Sequence, residues 1–130
     1  MSSEKNKAII RRVNEAFNKK DLTILVEFIA PDYVDHTNQI RGRENVKKFY
    51  TRTFKDFPDI HRTIEDIIAE GDKVWIRFKT TGTAPSGKKM DLTTVSILRI
   101  VNGKAVEGRT VPKVMGKNLS IDKSLYEKPV

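Results

Sequence analysis

The chain contains no cysteine, which excludes disulfides, thiol catalysis and cysteine-ligated zinc. Its two histidines, His36 and His61, stand far apart among scattered carboxylates, and no recognised metal-ligand spacing results. No apolar run is long enough to span a membrane. The start, Ser2-Ser3-Glu4-Lys5-Asn6-Lys7, is polar and carries no signal-peptide pattern. A cytoplasmic protein without membrane contact is therefore expected. No linker, repeat or low-complexity stretch divides the 130 residues, so one domain over residues 1–130 is expected, with room for a core.

Positive charge is what the chain has in excess: 25 Lys and Arg against 17 Asp and Glu, a net of +8. Such a balance can signal an acidic partner or nucleic acid. The cations are dispersed, however, from Lys19-Lys20 through Arg41, Arg43, Lys47-Lys48 and Lys88-Lys89 to Lys128. No recognition-helix, zinc-finger or aromatic-basic RNA-binding pattern accompanies them. Nucleic acid is not the expected partner.

The hydrophobic periodicity is helical first and strand-like later. Ser3 caps a first helix whose apolar face is Ile9, Ile10, Val13, Ala16 and Phe17. Asp21 caps a second, with Leu22, Leu25, Val26, Phe28 and Ile29 as its stripe, ended by Pro31. A third begins near Glu44, buries Val46, Phe49, Tyr50, Thr53 and Phe54, and closes at Phe57-Pro58. From Ile60 the period becomes two. Ile60, Ile64 and Ile68 are assigned to one face of a strand ending at the Glu70-Gly71-Asp72 turn. Val74, Ile76 and Phe78 alternate with Trp75, Arg77 and Lys79 in the next. A long strand runs from about Met90 to Val101, and Asn102-Gly103 is a strong hairpin signal. A last strand from Lys104 to Val111 precedes Pro112. Beyond it, Met115, Leu119, Ile121, Leu125 and Tyr126 punctuate a polar tail.

Helices followed by consecutive strands predict an α+β domain with the helices on one side of a sheet. The long strand is apolar on both faces: Leu92, Thr94, Ser96, Leu98 and Ile100 on one, Thr93, Val95, Ile97 and Val101 with Arg99 on the other. One face should meet the helices. The other, with Val95, Ile97 and Trp75, suits a homodimer through the sheet.

The order of the short motifs resembles the SnoaL-like polyketide cyclase family, within the nuclear-transport-factor-2-like superfamily. The matching pieces are Val13-x-x-Ala16-Phe17-Asn18-x-x-Asp21-Leu22, Ala30-Pro31-Asp32-Tyr33-Val34-Asp35-His36 and Gly42-x-Glu44-x-Val46-x-x-Phe49. Phe57-Pro58-Asp59, Ile67-x-x-Glu70-Gly71-Asp72-x-Val74, Thr81-Gly82-Thr83 and Arg99-Ile100-x-x-Gly103-Lys104-x-Val106-Glu107 complete them. The resemblance implies a cone of three helices against a curved, mostly antiparallel mixed sheet, enclosing a mainly apolar pocket for a hydrophobic small molecule. It also implies proton transfer during an aldol ring closure, without metal, nucleotide or other cofactor.

In that family the acid/base is an aspartate on the last strand, a position that aligns with Thr110; its polar partners align with Thr94 and Ser96. All three are neutral hydroxyls here, able to donate hydrogen bonds but poor as bases. The family's His-Trp pair after Glu107 is replaced by Gly108-Arg109. Asp35 and His36 are then the catalytic candidates, since related steroid isomerases draw their base from this region and His36 titrates near neutrality when unperturbed. The alternative is that His36 only holds the junction. Tyr50 and Phe54 are candidate substrate-binding residues, beside Thr94, Ser96 and Thr110. His61 is read as surface, and Glu107 as a cross-strand ion pair with Arg99. The expected function is cyclisation or isomerisation of a hydrophobic carbonyl compound; the alternative is a non-catalytic ligand-binding or assembly module.

Overall fold

The computed structural model describes residues 3–113, so the tail with Met115 to Tyr126 lies outside the described residues. Three helices, α1 (Ser3–Asn18), α2 (Leu22–Phe28) and α3 (Arg43–Asp56), lie against one sheet. Its strands are β1 (Ile29–Asp35), β2 (Ile40–Arg41), β3 (His61–Glu70), β4 (Lys73–Thr83), β5 (Lys89–Val101) and β6 (Lys104–Lys113). They follow the order β2-β1-β6-β5-β4-β3. The β1–β6 pair is parallel and the others are antiparallel. The architecture is the α+β arrangement that the sequence implied.

Local chemistry accounts for the element ends. Asp21 Oδ1 accepts the Ile24 amide at 3.3 Å and caps α2. That helix stops at Phe28, and Ile29 is already extended with ψ of 128°. The chain thus leaves the helix two residues before Pro31, whose ring disfavours helix at the residue preceding it. Asn102 and Gly103 both have positive φ, 51° and 78°, the geometry of a tight two-residue hairpin turn.

The core lies between the helices and the sheet face they cover. Leu25, Val74 and Ile76 are fully buried there, with Ile10, Phe17, Phe78 and Ile100 around them. Two details depart from the sequence pattern. The β3–β4 register shifts between Ile64 and Asp66, so one extra residue reverses the alternation beyond it. Ile67 turns inward while Ile68 is 66% exposed on the outer face, not on the face of Ile60 and Ile64. Second, β6 continues through Pro112 to Lys113. The Thr110 amide points away from β5, to Thr37 Oγ1, and by alternation position 112 points the same way. Its parallel neighbour β1 has already ended opposite Gly108, so no ladder bond is lost to the proline.

Candidate functional site

Between the helices and the sheet lies a cavity of about 240 Å³. Ile10, Val13, Phe17, Phe28, Phe78 and Leu98 provide much of its apolar wall. Inward-facing positions of four adjacent strands bring polar groups into it: Tyr33 and Asp35 from β1, Thr110 from β6, Thr94 and Ser96 from β5, and Thr80 from β4. Tyr50 enters from α3 and Arg62 from β3.

Pairing explains why the hydroxyls meet. Ser96 stands opposite Thr110 across β5–β6, and their oxygens are 3.0 Å apart. Thr94 is one inward step along β5, opposite Phe78 of β4.

Asp35 sits at the end of β1 on the cavity wall. Its Oδ1 accepts the amides of Thr37 and Asn38, each at 3.0 Å, and its Oδ2 accepts Asn38 Nδ2 at 3.0 Å. Three donors within the following turn therefore fix the carboxylate's orientation.

Tyr33, two residues earlier on the same face, is 7% exposed. Burial raises its phenol pKa well above the ordinary tyrosine value, with the charges of Asp35 and Tyr50 acting in the same direction. The phenol therefore remains a neutral hydrogen-bond donor throughout the physiological range.

His36 faces elsewhere. Its amide donates to Gly108 O at 2.9 Å, and its Nε2 lies 2.9 Å from Glu107 Oε2 on the partly exposed outer surface. The ring is not part of the cavity lining. The hydrogen bond from His36 lowers the Glu107 pKa, with the imidazole's charge adding to it. Arg99 stands opposite Glu107 in the ladder, yet its Nε bonds Asp72 Oδ2 at 2.8 Å. The expected Arg99–Glu107 pair is thus replaced by two others, because Asp72 in the adjacent turn and His36 just after β1 lie within reach.

Of the substrate-binding candidates, Tyr50, Thr94, Ser96 and Thr110 line the cavity, whereas Phe54 stands behind the lining. It stacks on Tyr50 at 6.1 Å and meets Phe17 edge-on at 5.2 Å. His61 is exposed. Tyr33 and Arg62 are cavity residues that the sequence did not single out. The alternation Tyr33/Asp35 along an extended run could have indicated Tyr33. For Arg62 the only signal is a pair of asparagines, Asn14 and Asn18, one turn apart on α1.

Among the described residues no group of His, Asp and Glu is arranged to hold a metal ion, and no helix is long and apolar enough to cross a membrane. The arrangement combines an oriented carboxylate, the neutral Tyr33 phenol and paired hydroxyls inside a largely apolar enclosure. Those are the components for abstracting a proton beside a carbonyl and stabilising the resulting oxyanion.

The profile of the SnoaL-like polyketide cyclase family matches residues 7–118. None of the curated proteins compared matches the chain. Among solved structures, IdmH from Streptomyces antibioticus, described as a candidate polyketide cyclase, is 31% identical with a TM-score of 0.71, over 83% of this chain and 91% of that one. AclR from Streptomyces galilaeus, described as a candidate hydroxylase, is 28% identical with a TM-score of 0.77, over 86% and 81%. A protein of ketosteroid-isomerase-like fold from Catenulispora acidiphila shares the fold at 22% identity and a TM-score of 0.70, over 79% and 83%.

Proposed function

The chain belongs to the SnoaL-like polyketide cyclase family, and from that premise we propose that its cavity binds a hydrophobic carbonyl compound and transfers a proton at the carbon next to the carbonyl. The observation carrying this reading is the convergence of Asp35, Tyr33 and the Ser96–Thr110 hydroxyl pair on one largely apolar cavity. Asp35 removes the α-proton, and the C–H electron pair moves into the carbonyl. Tyr33 donates to the oxygen that becomes negative, and Ser96, Thr110 and Thr94 orient the neighbouring oxygens. In a conjugated enolate the protonated Asp35 returns its proton to a different carbon, an isomerisation; otherwise the enolate carbon attacks a second carbonyl and the alkoxide formed takes that proton, a cyclisation. In this scheme His36 does no proton transfer; with Glu107 it fastens β1 to β6 and so positions Asp35. Phe54 supports Tyr50 from behind.

A second reading has its own support. Thr110 occupies the position aligned with the family's strand aspartate, and its hydroxyl is engaged with Ser96 at 3.0 Å. A cavity with these neutral groups could hold a ligand without turning it over.

The same proposal includes a cytoplasmic homodimer. Trp75, 51% exposed, stands opposite Ile68 and Ile97 on the outer sheet face, and Val95 stands opposite Val111, itself 57% exposed. These apolar side chains, set among Arg77 and Arg109, favour a second copy as their cover.

Deuterium uptake at the α-carbon of 2-tetralone, followed by proton NMR, tests the chemistry. Wild-type protein should accelerate exchange above buffer, and Asp35→Asn should remove about 10²-fold or more of that acceleration. Binding of 2-tetralone without accelerated exchange would sink the catalytic reading and leave the ligand-binding one.

A further inference from the structure

Arg62 reaches the cavity from the far edge of the sheet. Its strand, β3, is four places from β1 in the strand order, about 19 Å along the sheet at the usual spacing. The guanidinium carbon lies 4.1 Å from the Phe17 ring centroid and 4.2 Å from that of Phe78. Two asparagines on α1 hold the residue. Asn14 Nδ2 donates to Arg62 O at 2.9 Å, and Asn14 Oδ1 accepts from Arg62 Nε at 2.8 Å. Asn18 Nδ2 donates to the same carbonyl at 2.9 Å, and Asn18 Oδ1 accepts the Arg62 amide at 2.7 Å.

The asparagine bonds engage Nε and the main chain, the Arg62 side chain also hydrogen-bonds Tyr50, and among the described residues no carboxylate pairs with the guanidinium. By contrast, among the described residues Arg52, Arg77 and Arg99 form ion pairs, on the surface. Burial draws the Arg62 pKa below the usual guanidinium range, while Tyr50 opposes that change. The group still carries its charge at neutral pH. A half-buried cation without a carboxylate partner carries a desolvation cost to the fold. Here it borders a ligand-sized space, clamped in one orientation by a dedicated set of hydrogen bonds.

We propose that Arg62 seats a carboxylate borne by the hydrophobic ligand, so that the cavity takes an aromatic or aliphatic keto acid anchored at the β3 end, with its reactive carbon directed toward Asp35. The planar fork matches a carboxylate in two parallel hydrogen bonds, and the Phe17 and Phe78 rings provide apolar surface beside it. Asp35 lies on β1 and Arg62 on β3, with β6, β5 and β4 between them, so anchor and base work at separate ends. The proposal rests on the reading of this cavity as the ligand site and adds the ligand's charge.

Calorimetric titration with 2-naphthoate and its neutral counterpart of similar shape, 2-acetylnaphthalene, tests it. Wild-type protein should bind the carboxylate at least about tenfold more tightly. Arg62→Gln should erase that preference while leaving affinity for the ketone within about twofold, and Arg62→Lys should retain part of it. Equal binding of the two probes, or a preference that survives Arg62→Gln, would overturn the anchor and leave the carbonyl reading intact. Carboxylate binding without ketone binding would do the reverse. Should neither probe bind, both fall. If Arg62→Gln does not fold, the Nε–H resonance of Arg62 in wild-type protein must shift on adding 2-naphthoate; an unmoved resonance overturns the anchor.

Discussion

The Tyr33 hydroxyl occupies the space that a side chain at position 108 would need. A Cβ on Gly108 would collide with Tyr33 Oη and approach Leu98 Cδ2 to 2.7 Å. Gly108→Ala should therefore cost about 1–3 kcal/mol of stability by overpacking and displace the phenol. Urea denaturation and the rate of 2-tetralone exchange measure the two effects, and both should fall.

The same phenol sets the response to alkali. Its folded-state pKa is raised above the ordinary value of 10.0, chiefly by burial. The stabilisation is fully present below that value. Above it the unfolded chain ionises while the folded one resists, so stability declines as pH rises. Tyr33→Phe should flatten that decline above pH 10 in urea titrations, with the profile at neutral pH unchanged in shape.

His36 and Glu107 form a pair on a partly exposed surface, 36% and 38% accessible. Solvent screening limits such a pair to at most about 1 kcal/mol. A double-mutant cycle of His36→Asn and Glu107→Gln should give a coupling energy in that range. Glu107, held below its usual range by His36, contributes above the ordinary carboxylate pKa and loses that contribution as pH falls toward its lowered value. His36→Asn should leave ligand affinity unchanged and lower the exchange rate severalfold at most. Complete loss of exchange in a folded His36→Asn protein would return the imidazole to the chemistry.

Trp75→Asp tests the outer face. Light scattering at micromolar concentration should show wild-type protein at twice the chain mass and the variant at 14.9 kDa, because the exposed Trp75 ring is the largest apolar surface on that face and its loss removes the contact area a second copy would cover. A wild-type monomer would remove the dimer from the reading.

Much of this fold is legible from short-range chemistry. The stripe Val13, Ala16 and Phe17, the Asp21 cap and the Asn102-Gly103 turn each need only a few neighbouring residues to specify them. The shared inward face of Thr94 and Ser96 follows from strand alternation alone. What escapes is decided by partners far along the chain. The register shift at Ile64/Asp66 sends Ile68 outward, and nothing local in Ile64-Glu65-Asp66-Ile67-Ile68 marks it. His36 finds Glu107 across 71 residues. Arg62 is one of many cations in a chain with a net charge of +8. Only its distant asparagines and rings distinguish it from a surface arginine.

The parallel pairing of β1 with β6 sets an order of assembly. The first residues of β6 are synthesised about 70 positions after β1, and β1 has no other long strand beside it. Closing so large a loop is entropically slow. The hairpins β3–β4, β4–β5 and β5–β6 can form locally, but the wall joining Asp35 to Thr110 must wait until β6 has emerged from the ribosome. A nascent chain can therefore form the β3–β4–β5 part of its sheet before the cavity wall exists, and β6 completes both together.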